Sequence, residues 1–325
     1  MKAPHILNNK YCAFLAIVTF VFSSQLFAEP YAFITNQLDN SISVIDAQTH
    51  KVIKTIPVTG KPVGVAVNNK MDQIYISTPN GGGFSVLDSR KLQKIDSVQV
   101  GGASLGIAVD EKGQRIFVAD WYENTVTVFD AQTLKQVKII KVGQSPSGMM
   151  ASLDGRWLYV ANRVDDSISQ IDLRKLKIRN TTKVGAHPFG LSVNKKGDRV
   201  YTANVESDDV NVMDSGDGRL KRLVTIKVGA RPYATALALN DTLLFVTNQD
   251  DSTVSVIDTV SLKQIAVIEV GEKPEGISTH PDDQHVYVAN WFDNNVSVID
   301  AKTLKVIETI ETGEGSRAFG LFFSE

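Results

Sequence analysis

GIAVDEKGQRIFVADWYENTVTVFDAQTLKQVKIIKV, residues 106–142, contains four short segments rich in Val, Ile and Phe at 106–110, 115–120, 125–130 and 136–142. Polar or glycine-bearing turns separate them. β-branched and aromatic residues recurring over five to seven positions between such turns read as β-strands, and no stretch sustains the 3.6-residue apolar period of a helix. The unit recurs along the chain. Apolar segments end in Asp46, Asp88, Asp130, Asp172, Asp214, Asp258 and Asp300, spaced 42 residues apart except for 44 between Asp214 and Asp258. Ten residues before each stands a second anchor: Asn36, Thr78, Asp120, Asn162, Asn204, Asn248 and Asn290. A period of about 40–45 residues holding four strands is that of propeller blades. The fold class expected is therefore all-β: a seven-bladed β-propeller of four-stranded blades.

The ends of the repeat array add a second expectation. YAFITN (31–36) has the character of a second strand, whereas GLFFSE (320–325) has that of a first strand. The C-terminal strand should complete the N-terminal blade, closing the ring and leaving no long open sheet edge. Residues 29–325 then form one propeller domain.

Residues 1–28 read as a cleaved secretory signal. Lys2 and Lys10 precede the apolar run 11–22, and Ser23, Ser24 and Ala28 supply small residues before Glu29 and Pro30. This places the protein in the periplasm of a Gram-negative bacterium or outside the cell, with no transmembrane span in the mature chain. The sole cysteine, Cys12, leaves with the leader, so disulfides and thiolate chemistry are excluded afterwards. The chain holds 34 basic and 36 acidic residues; without the leader, which carries two lysines and no acid, the balance is 32 against 36. Such a charge gives no general attraction to nucleic acid.

The segments YVAN, FVTN and SVID followed by VGxxPxG make the sequence resemble the YVTN-type propeller repeat family, the group that includes YncE-like exported proteins. The resemblance runs over residues 31–324. It implies the propeller fold and no particular chemistry, because the repeat motif is structural.

Most repeated polar residues have a scaffold reading. Each repeat aspartate opens a turn, as in DAQT (130–133), where its carboxylate can accept backbone N–H groups. The Asn anchors are expected to serve the next turn in the same way. Acids three residues after the anchor, Asp39, Glu123, Asp165, Asp251 and Asp293, lie on separate blades and lack calcium-loop spacing. Gly143, Gly185, Gly229 and Gly271 precede Pro146, Pro188, Pro232 and Pro274 by three residues, and are expected to take positive φ. No helix follows them, so they do not cradle phosphate.

Function is sought where the blades differ. Beside the proline positions stand Lys61, His187, Arg231, Lys273 and Arg317 on five successive blades, forming a basic arc at the channel mouth. Phe189, Tyr233, Phe319, Trp121, Tyr122, Trp291 and Phe292 interleave with it. These residues suit an anionic small ligand or an acidic or aromatic partner segment, bound by bidentate contacts and stacking. No GxSxG, HExxH or paired-cysteine pattern is present, and no catalytic or metal-ligating residue is assigned. His187 is the one histidine expected on this face; His280 and His285 flank a tight turn on the opposite face. The reading is a monomeric, non-catalytic binding propeller with no cofactor assigned, quinone and haem being left open. The alternatives are an oxidoreductase-associated or lactone-hydrolysing propeller and a surface assembly protein.

Overall fold

The computed structural model describes Met1 and residues 30–324; the rest of the expected leader and Glu325 lie outside the described residues. Seven sheets, antiparallel except where the C-terminal strand joins, follow one another around a ring. Blade 3 is typical: its strands are Ser104–Val109, Arg115–Asp120, Thr125–Asp130 and Gln136–Lys141, innermost first. The second and third match the segments read from the sequence residue for residue, and the outer two differ by one or two positions at their ends. Among the described residues the helical content is a single 3₁₀ turn, Pro79–Gly81.

The blade stacking explains why the middle strands are apolar on both faces. In the second strand of blade 3, Ile116 and Val118 pack with Tyr75, Phe84 and Val86 of blade 2. Phe117 and Ala119 point the other way, onto Met149, Leu158 and Val160 of blade 4. Successive side chains of a strand face opposite sides of its sheet, and here both sides are interior. The outer strand Gln136–Lys141 has no such cover and alternates toward exposure.

Toward the axis the blades approach until backbones touch. A Cβ on Gly106 would lie 1.9 Å from the Ser147 carbonyl oxygen of the next inner strand, a distance no side chain tolerates. The repeat aspartates cap their turns as expected: Asp130 Oδ1 accepts the N–H and hydroxyl of Thr133 at 2.7 and 2.8 Å, and Asp46 Oδ1 accepts Gln48 and Thr49 N–H at 3.0 and 2.8 Å. The Thr133 backbone N–H holds the Asp130 carboxyl below the ordinary aspartate value.

Ring closure involves two contacts. The N-terminal blade holds three strands of its own, Tyr31–Asn36, Ser41–Asp46 and Lys51–Pro57. The C-terminal segment lies antiparallel along the first of them. Phe33 N–H donates to Phe322 O, Ser324 N–H to Tyr31 O and Arg317 N–H to Thr35 O, each at 2.9 Å. Within that segment Phe319–Leu321 also pairs in parallel with Gly64–Val65–Ala66, the inner strand of blade 2. The C-terminal strand therefore completes the N-terminal blade and locks it to the next one. Phe322 and Phe323 are buried in the same cluster as Phe33, Ile42 and Val296, so apolar burial accompanies the hydrogen bonds.

Removing the Phe322 ring should cost about 3–5 kcal/mol, the range for emptying a buried aromatic site. Phe322→Ala is thus expected to melt well below the unaltered protein, and deletion of residues 318–325 to abolish cooperative melting. Calorimetry showing an unchanged transition for the deletion would contradict this closure.

Candidate functional site

The inter-blade loops and the hairpin turns after the anchors share one face and are stitched together. Gly143 N–H donates to Asn162 Oδ1 at 3.0 Å, Gln144 N–H to Asp165 Oδ2 at 2.8 Å and Ser145 N–H to Asn124 Oδ1 at 2.9 Å. The acid three residues past the anchor does the same elsewhere: Asp251 receives Ala230 N–H, Asp293 receives Glu272 N–H and Asp39 receives Glu314 N–H, at 2.7, 2.8 and 2.7 Å. These carboxylates pin the incoming loop, and none is shared between blades as an ion site would require.

Two sequence expectations change here. The glycines at 143, 185, 229 and 271 do not take positive φ. They are required because a Cβ on Gly143 would stand 2.6 Å from Asp165 Oδ2 and 2.7 Å from Asn162 Cγ. The left-handed residue is the one before the proline: Lys61, Ser145, His187, Arg231 and Lys273 all have φ between 50° and 58°. That conformation is uncommon for non-glycine residues and persists where surrounding bonds over-determine it; Arg231 N–H, for example, is fixed by Asp208 Oδ1 at 2.9 Å. The Asn anchors also differ from expectation. They are buried, and their amides reach across the hairpin, as Asn162 Nδ2 does to the Ser167 and Ser169 hydroxyls at 3.1 and 2.9 Å. Only where aspartate replaces asparagine, at Asp120, does the anchor receive the N–H groups two and three residues on.

The basic residues do not form one continuous arc. Gly315 O accepts Gln37 N–H just as His187, Arg231 and Lys273 oxygens accept the N–H of Val205, Gln249 and Trp291. Gly315 is therefore the equivalent of the residue before the proline, and Arg317 falls two places later, level with Phe189, Tyr233 and Glu275. Acids alternate with the remaining basic residues. Arg231 meets Glu206 at 3.0 Å and Asp250 at 3.7 Å, Lys273 meets Asp250 at 2.7 Å, and His187 Nδ1 lies 3.8 Å from Glu206. Lys61 Nζ lies 3.4 Å from the Leu38 carbonyl oxygen.

Five of the nine residues singled out in the sequence meet around one cavity of about 390 Å³: Trp121, Phe189, Arg231, Tyr233 and Arg317. Lys61, His187, Lys273 and Trp291 do not line it. Its other walls include Tyr122, Arg163, Gln249 and Glu275. Phe189 and Tyr233 stack with ring centroids 4.1 Å apart over Phe319, and with Val63 and Val205 they form an apolar floor drawn from several blades. The Arg163 guanidinium sits 5.7 Å from the Trp121 ring centroid, a cation–π distance.

A buried polar network crosses this floor. Arg317 pairs through Nε with Glu275 Oε2, donates through Nη1 to Gln37 Oε1 at 2.9 Å, and donates through Nη2 to the Tyr233 hydroxyl at 2.8 Å. Gln249 Nε2 donates to Glu275 Oε1 at 2.7 Å. Burial pushes the Glu275 carboxyl and the Tyr233 hydroxyl above their ordinary values, with Arg317 opposing both. Burial alone would lower Arg317, but Tyr233 and Glu275 outweigh it, so the guanidinium is a fixed positive charge.

Glu275 and Gln249 are absent from the sequence reading because each looks like an ordinary loop residue. The usable signal is position: Glu275 follows its proline as Phe189 and Tyr233 follow theirs, and Arg163 and Gln249 follow their anchors as Trp121 does. Reading every blade at those two positions outlines the cavity.

The family pattern described as "Cytochrome D1 heme domain" matches residues 28–153, and that described as "Lactonase, 7-bladed beta-propeller" matches residues 132–235. No functionally curated protein matches in sequence. Hydrazine synthase of Kuenenia stuttgartiensis is similar in structure at TM-score 0.74 and 21% identity, covering 82% of this chain and 91% of that one. The periplasmic gluconolactonase PpgL of Pseudomonas aeruginosa gives 0.75 and 18%, covering 91% and 99%. The dihydro-heme d1 dehydrogenase NirN gives 0.67 and 15%, covering 86% and 63%. At these identities the likeness shows the fold: a seven-bladed propeller of the cytochrome d1 and lactonase type.

Arg317→Met should strand the Glu275 carboxylate in the interior and cost about 3–5 kcal/mol at pH 7. With the cation gone, the folded-state carboxyl titrates above its unfolded value of about 4.3. The folded state then binds the extra proton, so the deficit should shrink toward pH 4–5 and grow as pH rises. Arg317→Met/Glu275→Gln should recover most of the loss. Chemical denaturation giving equal deficits at pH 5 and pH 7 would show that Glu275 is not the stranded group.

Proposed function

We propose that the chain is an exported, non-catalytic binding propeller of the YncE-like group, holding a small planar anion in the loop-face cavity. The observation that carries this reading is the cavity's composition. Its walls combine Arg163, Arg231 and Arg317 with Trp121, Tyr122, Phe189 and Tyr233; Arg317 is committed to Glu275, whereas Arg231 and Arg163 share the Glu206 carboxylate at 3.0 and 4.0 Å. Aromatic faces favour a flat ligand, and guanidiniums favour a carboxylate or similar anion in a bidentate pairing. A volume of about 390 Å³ is that of a small-molecule site.

Glu275 is ill suited to act as a catalytic base, since both its oxygens are engaged, one by Arg317 and one by Gln249. This supports binding over the lactone hydrolysis suggested by the names of the gluconolactonase and the lactonase pattern. The haem named in the cytochrome d1 pattern fits the cavity poorly. No histidine, cysteine or methionine lines it to serve as an axial ligand, and of its tyrosines Tyr233 is held by Arg317 while Tyr122 is largely exposed.

Trp121 in the wall offers a direct readout. Titrating indole- and naphthalene-carboxylates against tryptophan fluorescence should give saturable binding, with the methyl esters weaker by about tenfold or more. Arg163→Gln should remove the preference for the acid while leaving the melting transition in place. Equal affinity for acid and ester, or no saturable binding of any planar carboxylate up to ~1 mM, would reject the reading.

A further inference from the structure

On the opposite face, the turn between the inner and second strands of blade 7 reads His280-Pro281-Asp282-Asp283-Gln284-His285. His280 N–H donates to His285 O at 2.9 Å, and Asp283 N–H to His280 O at 2.9 Å, so the two histidines are cross-strand neighbours at the base of a closed turn. The Asp282 carboxylate lies between their rings. Its Oδ2 is 2.7 Å from His285 Nδ1, and its Oδ1 is 3.0 Å from His280 Nδ1. One ligand atom from each of the three residues falls within 4.8 Å of the other two.

We infer that His280, Asp282 and His285 form a binding site for a divalent transition metal of the zinc class, independent of the loop-face cavity. Two neutral imidazole nitrogens and a carboxylate oxygen are the ligand set such ions prefer, and a three-ligand site leaves a fourth position open. Calcium and magnesium prefer all-oxygen sites. Asp282 N–H also reaches His280 Nδ1 at 3.0 Å, a contact that an ion bound at that nitrogen would displace, since the ring nitrogen has a single lone pair.

The site is held in place by packing. The His280 ring stacks on Tyr287 at 6.2 Å and meets Phe323 edge-on at 5.3 Å. His50, from the N-terminal blade, stands 6.2 Å from the His285 ring, with its Nδ1 2.6 Å from the Tyr287 hydroxyl. The turn thus sits beside the seam where the ring closes, and an ion bound there would be flanked by blade 7 and the N-terminal blade. Asp282 is the exposed member of the cluster, so its replacement leaves the packed rings in place.

The test is isothermal titration of tag-free protein with Zn(II), alongside Co(II) absorption as a report of coordination. One Zn(II) per chain is expected, with the melting temperature raised by Zn(II) and unmoved by Mg(II). His285→Gln and Asp282→Asn should each weaken binding by about tenfold or more, while His187→Gln on the far face should bind as the unaltered protein does. Absence of Zn(II) binding at ~100 μM, or binding unchanged in both variants, would overturn the site. The Zn(II)-dependent melting shift of the unaltered protein decides the matter even should a variant fail to fold.

Discussion

Each blade has two apolar faces and no means of covering either by itself. Ile116 and Val118 of blade 3 need blade 2, and Phe117 and Ala119 need blade 4. A row of such sheets has no stable end, so the ring must close. The closure falls on the segment from Gly315 to Ser324, which bonds to Gln37, Thr35, Phe33 and Tyr31 and buries Phe322 and Phe323. Everything else in the fold presupposes this seam, because opening it would expose two blade faces at once.

The same segment builds the site. Arg317 lies on the closing segment, just before its strand, and its guanidinium gathers Gln37 of the N-terminal blade, Glu275 of blade 7 and Tyr233 of blade 6. Closure and cavity are consequently one construction: the charge at the cavity floor exists only while the ring is sealed. The inter-blade loops contribute rigidity of a second kind. Their left-handed residues are locked by side chains of neighbouring turns, so Arg231 projects from a backbone that cannot relax.

The seven-fold repeat made the architecture legible, because turn aspartates such as Asp130 act locally and their spacing survives in one dimension. Tertiary requirements were less visible. Gly143 is glycine because of Asn162 and Asp165 about twenty residues away, and local φ preference suggested a different reason. In sequence Arg317 aligns with Lys61 and Arg231 because its loop lacks the proline that sets the register; the Gly315–Gln37 bond shows that it belongs with Tyr233 and Glu275. The interleaving of Glu206 and Asp250 among the cations was likewise invisible until the turns were brought side by side.

The claim that one C-terminal segment both seals the ring and founds the cavity is tested most directly by native-state hydrogen exchange. The amides of Phe33, Gln37, Arg317 and Ser324 should exchange as slowly as that of Val118 in the middle of blade 3, opening only with global unfolding. Exchange of those four amides at the rate of a frayed terminus, with Val118 still protected, would contradict it.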